Sequence, residues 1–287
     1  MKLFEKITII GGGLLGASLA KACHKDNLVE EISGFGRNRE NLDKAKSLDV
    51  IDHCAKDLPE SVKGVDLVVL CTPVSRIIPL IQSLLPHLKQ GAVITDVGAV
   101  KGPLVHQADN LMPEGIFFVG SHPIAGGEMS GLEASREDLY VDAKCILTPT
   151  PKTDTHALEK VGALWESVGM DTLILDADEH DFIFGAVSHL PHIVAYALMN
   201  TLGTLETKQE NEVTAYSGAG LKDITRIASG DPVMWRDICL SNPTHLLDLI
   251  DLFQKTLGEL RNVIEKKDGQ ALEETFIAAN KYRMKVI

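Results

Sequence analysis

Two kinds of residue in this sequence are placed to do chemistry: glycines that bring backbone close to phosphate, and His, Arg and Asp clusters set among apolar neighbours. The run Ile10-Gly11-Gly12-Gly13-Leu14-Leu15-Gly16 reads as G-x-G-x-x-G through Gly11, Gly13 and Gly16. In that spacing the first glycine permits a tight turn. The second lets a pyrophosphate approach the backbone, and the third lets a helix pack on a strand. A helix opening at Leu14 and Leu15 presents unpaired N–H groups and its positive dipole end to the phosphates. The motif follows an apolar strand and precedes a helical segment over residues 14–24, so it predicts a bound dinucleotide. Thr72 and Pro73, just past the apolar run at 65–70, are expected to touch the same ligand.

The residues after the second strand bear on which dinucleotide is held. An NAD enzyme usually closes this strand with an acid that binds the adenine ribose hydroxyls. Here Gly36 stands at that point, followed by Arg37, with Arg39 close behind. The missing carboxylate removes repulsion against a 2′-phosphate, and a guanidinium binds a phosphate bidentately. The pattern favours NADP. The alternative is NAD, with Arg37 stacked on adenine or facing solvent.

Three further clusters are polar amid apolar surroundings. Asp96-Val97-Gly98-Ala99-Val100-Lys101 follows a strand. Gly120-Ser121-His122-Pro123-Ile124-Ala125-Gly126-Gly127-Glu128 follows another. The third is divided among Ser188-His189-Leu190-Pro191-His192, Lys222-Asp223-Ile224-Thr225-Arg226 and Trp235-Arg236-Asp237. Ligands of open α/β sheets bind beyond the carboxyl ends of the strands, so the first two clusters should line a nicotinamide pocket.

The elements that carry these clusters divide the chain in two. Over residues 1–176 continuous apolar runs at 7–10, 65–70, 92–95, 116–119, 145–147 and 172–175 alternate with amphipathic segments. Strands apolar on both faces, separated by helices, predict a mostly parallel sheet covered on both sides. From 177 to 287 the pattern is helical. Ile183, Val187, Leu190, Val194, Ala197 and Thr201 recur at helical spacing, with Pro191 predicting a kink. Leu246, Ile250, Phe253, Leu257, Leu260 and Ile264 alternate by four and three, the spacing of packing within one domain or of a dimer seam. The fold class expected is therefore an α/β Rossmann-type domain followed by an all-α domain.

Bulk properties exclude other classes. The 287 residues carry a formal charge of −12, without the basic stripe that nucleic acid demands. The five cysteines, at 23, 54, 71, 145 and 239, form no CxxC pair, so neither a disulfide framework nor a metal site is expected. The N-terminus lacks a signal-peptide pattern, and no uninterrupted run of 18 apolar residues suggests a membrane span. A cytoplasmic protein acting on a small molecule is the expectation.

The most specific runs are His-Pro-Ile-Ala-Gly at 122–126, Ser-His-Leu-Pro-His at 188–192 and Asp-Pro-Val-Met-Trp-Arg-Asp at 231–237. With the glycine loop they make nearly the whole chain resemble the prephenate/arogenate dehydrogenases of tyrosine biosynthesis. That resemblance implies hydride transfer from the cyclohexadienyl C4 to NAD(P), with loss of the ring carboxylate as CO2. It implies His122 as the base that takes the C4 hydroxyl proton, Arg226 as the ligand of a substrate carboxylate, and His192 near the substrate. His189 is either a second contact or a core histidine. Gly98, Ala99 and Ser121 are expected at the substrate. Glu128 and Asp223 resemble residues gating the site, and Trp235 resembles a residue reaching the pocket from a partner subunit, which implies a homodimer through the helical domain. Many relatives carry Ser where this chain has Ala99. The competing readings are a β-hydroxyacid dehydrogenase, with Lys222 as catalytic lysine, and a catalytically silent NADP-binding sensor.

Overall fold

The computed structural model describes residues 2–127, 129–206 and 212–286. The chain begins with β1 (Phe4–Ile10), α1 (Leu14–Lys25), β2 (Val29–Phe35), α2 (Arg39–Ser47), the short β3 (His53–Cys54) and α3 (Leu58–Ser61). Next come β4 (Leu67–Leu70), α4 (Val74–Leu84), β5 (Val93–Asp96), α5 (Gly102–Leu111), β6 (Phe117–Pro123), β7 (Lys144–Thr148), α6 (Thr155–Ser167) and β8 (Asp171–Ile174). These strands form one sheet in the order β3-β2-β1-β4-β5-β6-β7-β8. Pairing is parallel from β3 to β6. β7 runs antiparallel to β6, and β8 follows it in parallel.

Parallel strands are buried on both faces, which is why β4 and β5 read as unbroken apolar or small runs with every residue buried. Two apolar clusters cover the sheet. One joins Leu19, Ile32, Leu67 and Trp165; the other joins Val68, Ile77, Ile94 and Phe118. The order of strands reverses between β1 and β4, so the crevice at their carboxyl ends is a topological switch point.

The remainder is helical: α7 (Ala177–Phe184), α8 (Leu190–Leu202), α9 (Ala219–Thr225), α10 (Pro232–Ser241), α11 (Pro243–Glu265) and α12 (Gly269–Arg283). Acidic caps start several of these helices. The Asp176 carboxylate accepts from Asp178 N and Glu179 N at 2.9 and 3.2 Å, and Asp231 does the same for Val233 N and Met234 N at 2.7 and 3.1 Å. Between α7 and α8 the helix continues as a π-turn over Gly185–His189. Pro191 offers no N–H, and its ring would press on the Val187 carbonyl of a regular α-helix. The kink expected at Pro191 is thus realised as a wider turn just before it, which carries His189 into the protein interior.

Residues 177–202 form one continuous helix that is long and apolar enough, by length and composition alone, to cross a membrane. Its buried His180 and Asp181 face the sheet domain, and Asp181 accepts hydrogen bonds from Lys101 N and Gly102 N, so protein covers that face. The apolar stripe of α11 splits along its length. Leu246 is buried and Ile250 and Phe253 are half-covered, whereas Leu257 and Ile264 are exposed.

Candidate active site

The glycine loop has the geometry its spacing predicts. Gly11 sits at φ +110°, where a Cβ would lie 2.1 Å from the Cys71 carbonyl oxygen, and a Cβ at Gly16 would lie 2.2 Å from the Gly11 oxygen. Both positions are closed to a larger residue. A Cβ at Gly13, by contrast, would meet nothing within 4 Å, because Gly13 borders a cavity of about 550 Å³. Thr72 and Pro73 border the same cavity, and the buried Thr72 hydroxyl finds no hydrogen-bond partner among the described residues. An open loop at the start of α1 and an orphaned hydroxyl opposite it fit a bound dinucleotide.

The far end of the cavity is lined by Gly36, Arg37 and Asn38, with Arg76 and Ser83 from α4 across from them. Arg39, expected here, is turned away. Its Nη1 donates to Ala55 O at 3.1 Å and its Nε pairs with Asp43 at 3.1 Å, because residue 39 already belongs to α2 and projects from its outer side. Arg76 was not foreseen; its place depends on α4 packing beside the switch point, which no local pattern reveals. Leu14, Leu15 and Gly16 lie behind the loop rather than in the cavity wall: the leucines pack on the core, and Tyr140 donates to the Leu15 carbonyl at 2.7 Å.

At the carboxyl end of β6, His122 is half-buried, while the neighbouring Ser121 is fully buried on the other side of the strand. Ser121 is no substrate ligand. Its hydroxyl donates to Asp96 O at 2.5 Å and accepts from Trp165 Nε1 at 3.1 Å, which commits it to the core. Strand residues alternate sides, so a His facing the site requires its neighbour to face inward. Beneath them Lys101 and Asp96 form a salt bridge with no solvent exposure, and Lys101 Nζ also donates to Ser121 O at 2.8 Å. Gly98 is drawn into this network, its N–H donating to Asp96 Oδ2 at 2.8 Å.

His122 Nδ1 lies 2.8 Å from His180 Nε2, and His180 Nδ1 lies 2.8 Å from Asp181 Oδ1. The Phe184 ring packs edge-on against His122, with centroids 4.8 Å apart. Burial, the neighbouring His180 and the Lys101 charge push the His122 pKa well below the usual histidine range. Burial lowers that of His180 too, against the pull of Asp181. Both rings are neutral bases at physiological pH. Neither His180 nor Asp181 was singled out in the sequence; the signal was a His-Asp pair in the first turns of an otherwise apolar helix.

His189 and His192 converge from the π-turn and α8. His189 is buried against the Ala99 backbone, with Asn242 Nδ2 at 3.5 Å from its Nδ1, and burial pushes its pKa down to about 4. His192 Nδ1 donates to Ser188 O at 2.9 Å, and the ring stacks on Trp235, with centroids 3.6 Å apart. Within one subunit Trp235 is nearly buried, stacked on His192 and clustered with Val100 and Ile238. Arg226 is exposed at the rim, where its charge contributes to lowering the His192 pKa. Lys222 and Asp223 are exposed beside it on α9, and Glu128 lies outside the described residues. α10 docks on the sheet domain through Asp237, which accepts from Ser75 Oγ at 2.5 Å.

Comparison with known proteins adds a family context. The family described as prephenate dehydrogenase, nucleotide-binding domain, matches residues 19–173, and that described as prephenate dehydrogenase, dimerization domain, matches residues 176–278. A cyclohexadienyl dehydrogenase of Zymomonas mobilis is 34% identical over 99% of this chain and 97% of its own. The crystal structure of prephenate dehydrogenase from Aquifex aeolicus in complex with hydroxyphenyl propionate and NAD+ superposes with a TM-score of 0.93 at 38% identity, covering 99% of this chain and 98% of that one. Synechocystis arogenate dehydrogenase superposes at 0.83 with 28% identity, covering 98% of this chain and 100% of that one.

Proposed function

The chain belongs to the prephenate dehydrogenase family, and from that premise we propose that it oxidises a cyclohexadienyl substrate, prephenate or arogenate, at C4 with loss of the ring carboxylate as CO2. A nicotinamide dinucleotide, when bound along the glycine loop, supplies the hydride acceptor. The observation that carries the reading is His122: a neutral, half-buried imidazole at the carboxyl end of β6, with its Nδ1 held by His180.

His122 takes the proton of the C4 hydroxyl as the hydride leaves that carbon. Two electrons leave C4 with the hydride, and the O–H pair forms the carbonyl. The C1–carboxylate bond then breaks, its electrons completing the aromatic ring. A positioned base of this kind contributes about 10²–10⁴-fold in rate. Arg226, at the rim, holds a substrate carboxylate by a charge-assisted hydrogen bond. The stack of His192 on Trp235 forms one wall of the pocket, and Ala99 and His189 lie behind it.

The cofactor is NADP in this reading. Gly36 ends the second strand without an acid, and Arg37 and Arg76 flank that end of the cavity, a setting for a 2′-phosphate. The working unit is a homodimer, supported by the dimerization domain and the apolar helix faces left open in one subunit.

The test is steady-state kinetics with prephenate and arogenate, each with NAD and NADP, on the native protein and on Arg37→Ala. Turnover of at least one substrate is expected, with Arg37→Ala weakening NADP about tenfold or more and NAD far less. Equal losses for both cofactors would return Arg37 to adenine stacking, and no turnover of either substrate would overturn the function.

A further inference from the structure

Three side chains from two parts of the molecule form an unbroken hydrogen-bonded chain: His122 on β6, then His180 and Asp181 on α7. Its polarity can be worked out from the far end. The Asp181 carboxylate already accepts from two backbone groups, Lys101 N on Oδ1 at 2.7 Å and Gly102 N on Oδ2 at 2.8 Å. These are the first N–H groups of α5, the positive end of that helix, and they hold the group as a carboxylate, which only accepts. The approach is close enough that a Cβ on Gly102 would lie 2.9 Å from Asp181 Oδ2.

A pure acceptor facing His180 Nδ1 makes that nitrogen the donor. In a neutral ring the other nitrogen is then the acceptor. His180 Nε2 must therefore receive, so His122 Nδ1 must donate, and the lone pair of His122 is left on Nε2. We propose that His180 and Asp181 are positioning residues for the reaction: they hold His122 as its Nδ1–H tautomer, free its Nε2 to take the substrate's hydroxyl proton, and place a carboxylate charge at the end of the chain to balance the imidazolium that forms.

The inference rests on His122 being the base. The step moves one proton: the substrate O–H bond breaks, an N–H bond forms at His122 Nε2, and Nδ1–H stays bound to neutral His180. Without that arrangement His122 is poorly placed for the task. The groups facing it are Lys101, from the loop after β5, with its partner Asp96; His189 from the π-turn; Cys145 on β7; and Phe184, His180 and Asp181 on α7. Lys101 and burial both oppose a proton on His122. Lys101 is already neutralised by Asp96, which leaves Asp181 as the carboxylate aligned with the His122 ring.

Two measurements test the proposal. In the full-length protein with 15N-labelled histidine, free of substrate at pH 7.5, His122 (assigned by its absence in His122→Asn) should be protonated at Nδ1 and bare at Nε2. An Nε2–H tautomer overturns the proposal whatever the enzyme's activity. The kinetic arm compares His180→Gln, which keeps one acceptor toward His122 and one donor toward Asp181, with His180→Leu, which keeps neither. His180→Leu should lower kcat by about 100-fold or more with KM within about 3-fold, and should move the acidic limb of the kcat/KM profile; His180→Gln should recover kcat to within about tenfold of native. Equal losses in both variants would reduce His180 to a packing role. Dinucleotide titration reports whether each variant is folded, and the tautomer measurement decides the question on the native protein if His180→Leu is not. Failure to turn over prephenate or arogenate removes the function and leaves the tautomer result standing by itself.

Discussion

The sheet domain and the helical part of this protein bury their apolar residues in different ways. In the first, both faces of the sheet are closed by helices of the same chain, and Leu19, Ile32, Leu67, Leu70, Ile77 and Ile94 are shielded from solvent. From residue 178 onward the buried apolar side chains among the described residues are Ala195, Trp235, Ile238 and Leu246, whereas Leu240, Leu247, Leu252, Leu257 and Ile264 stand exposed. Exposed apolar faces of that extent mark interaction surfaces. The sheet domain closes its core within one chain; the helical part leaves apolar faces open. The proposed catalytic residues straddle the two, with His122 on the closed side and His189, His192 and Arg226 on the open side.

Breaking the closed side should have the largest effect on chemistry. His122→Asn keeps a side chain of similar reach at the end of β6 and removes the base. Steady-state kinetics should show kcat lowered by about 10²–10⁴-fold with KM little changed, because the lost interaction matters most in the transition state. A large rise in KM with kcat intact would assign His122 to substrate binding instead.

The open side can be broken without touching the site. Leu257→Asp puts a charge on the exposed half of the α11 stripe. Burying a leucine contributes about 1.5–3 kcal/mol, so losing it from both copies of a dimer removes about 3–6 kcal/mol, roughly 10²–10⁴ in dissociation constant. Light scattering at micromolar concentration should show monomers in place of dimers, with activity lost and dinucleotide binding by the sheet domain retained. A dimeric, active variant would place the interface elsewhere.

The same contrast explains what the sequence disclosed. The glycine loop was legible because Gly11 and Gly16 answer to local backbone sterics, and the sheet because each strand's burial follows from its own residues. Ser121 faces the core rather than the side on which His122 lies, because neighbouring strand residues alternate, a rule the sequence reading did not apply between them. Arg39 was placed by its distance from the strand, although α2 had already begun there. His180, Asp181 and Arg76 take their meaning from contacts between elements far apart in sequence, which local pattern does not carry.

Acid should weaken the junction between the two parts before it affects either alone. His122, His180 and His189 sit there, all with pKa lowered chiefly by burial. Above pH 6.5 folded and unfolded chains are both neutral at these rings. As pH falls below 6.5 the unfolded chain takes up protons that the folded one refuses, so stability falls. For His189, held at about 4 against an ordinary 6.5, the loss amounts to about 3 kcal/mol by pH 4. Carboxylates titrate mostly below about 4.5, so the histidine contribution is isolated between pH 4.5 and 6.5. Urea midpoints should therefore drop steadily across that interval. A flat profile there would mean that these histidines open to solvent without cost.

The smallest expected effect is at Ala99, on the closed side but packed against the cluster of Val100 with Trp235 and Ile238 of the open one. The family resemblance implies serine at this position, with its hydroxyl toward the substrate's C4 hydroxyl. One hydrogen bond contributes about 0.5–1.5 kcal/mol net, so its absence is a handicap of about tenfold at most. His122 with its relay to Asp181 remains intact, and Arg226 is present at the rim, so the native protein should turn over its substrate without that contact. Ala99→Ser should leave kcat/KM unchanged or raise it by up to about tenfold. The buried His189 ring, which lies against the Ala99 backbone, gives an introduced hydroxyl a second acceptor or donor within the protein, which would hold the serine in place or divert it from the substrate. The two outcomes differ in a measurable way: a serine bound to substrate raises kcat/KM, whereas one bound to His189 raises the urea midpoint and leaves kinetics unchanged. A serine variant that loses both stability and activity would show that the seam between the two regions is packed around a methyl group and has no room for the oxygen.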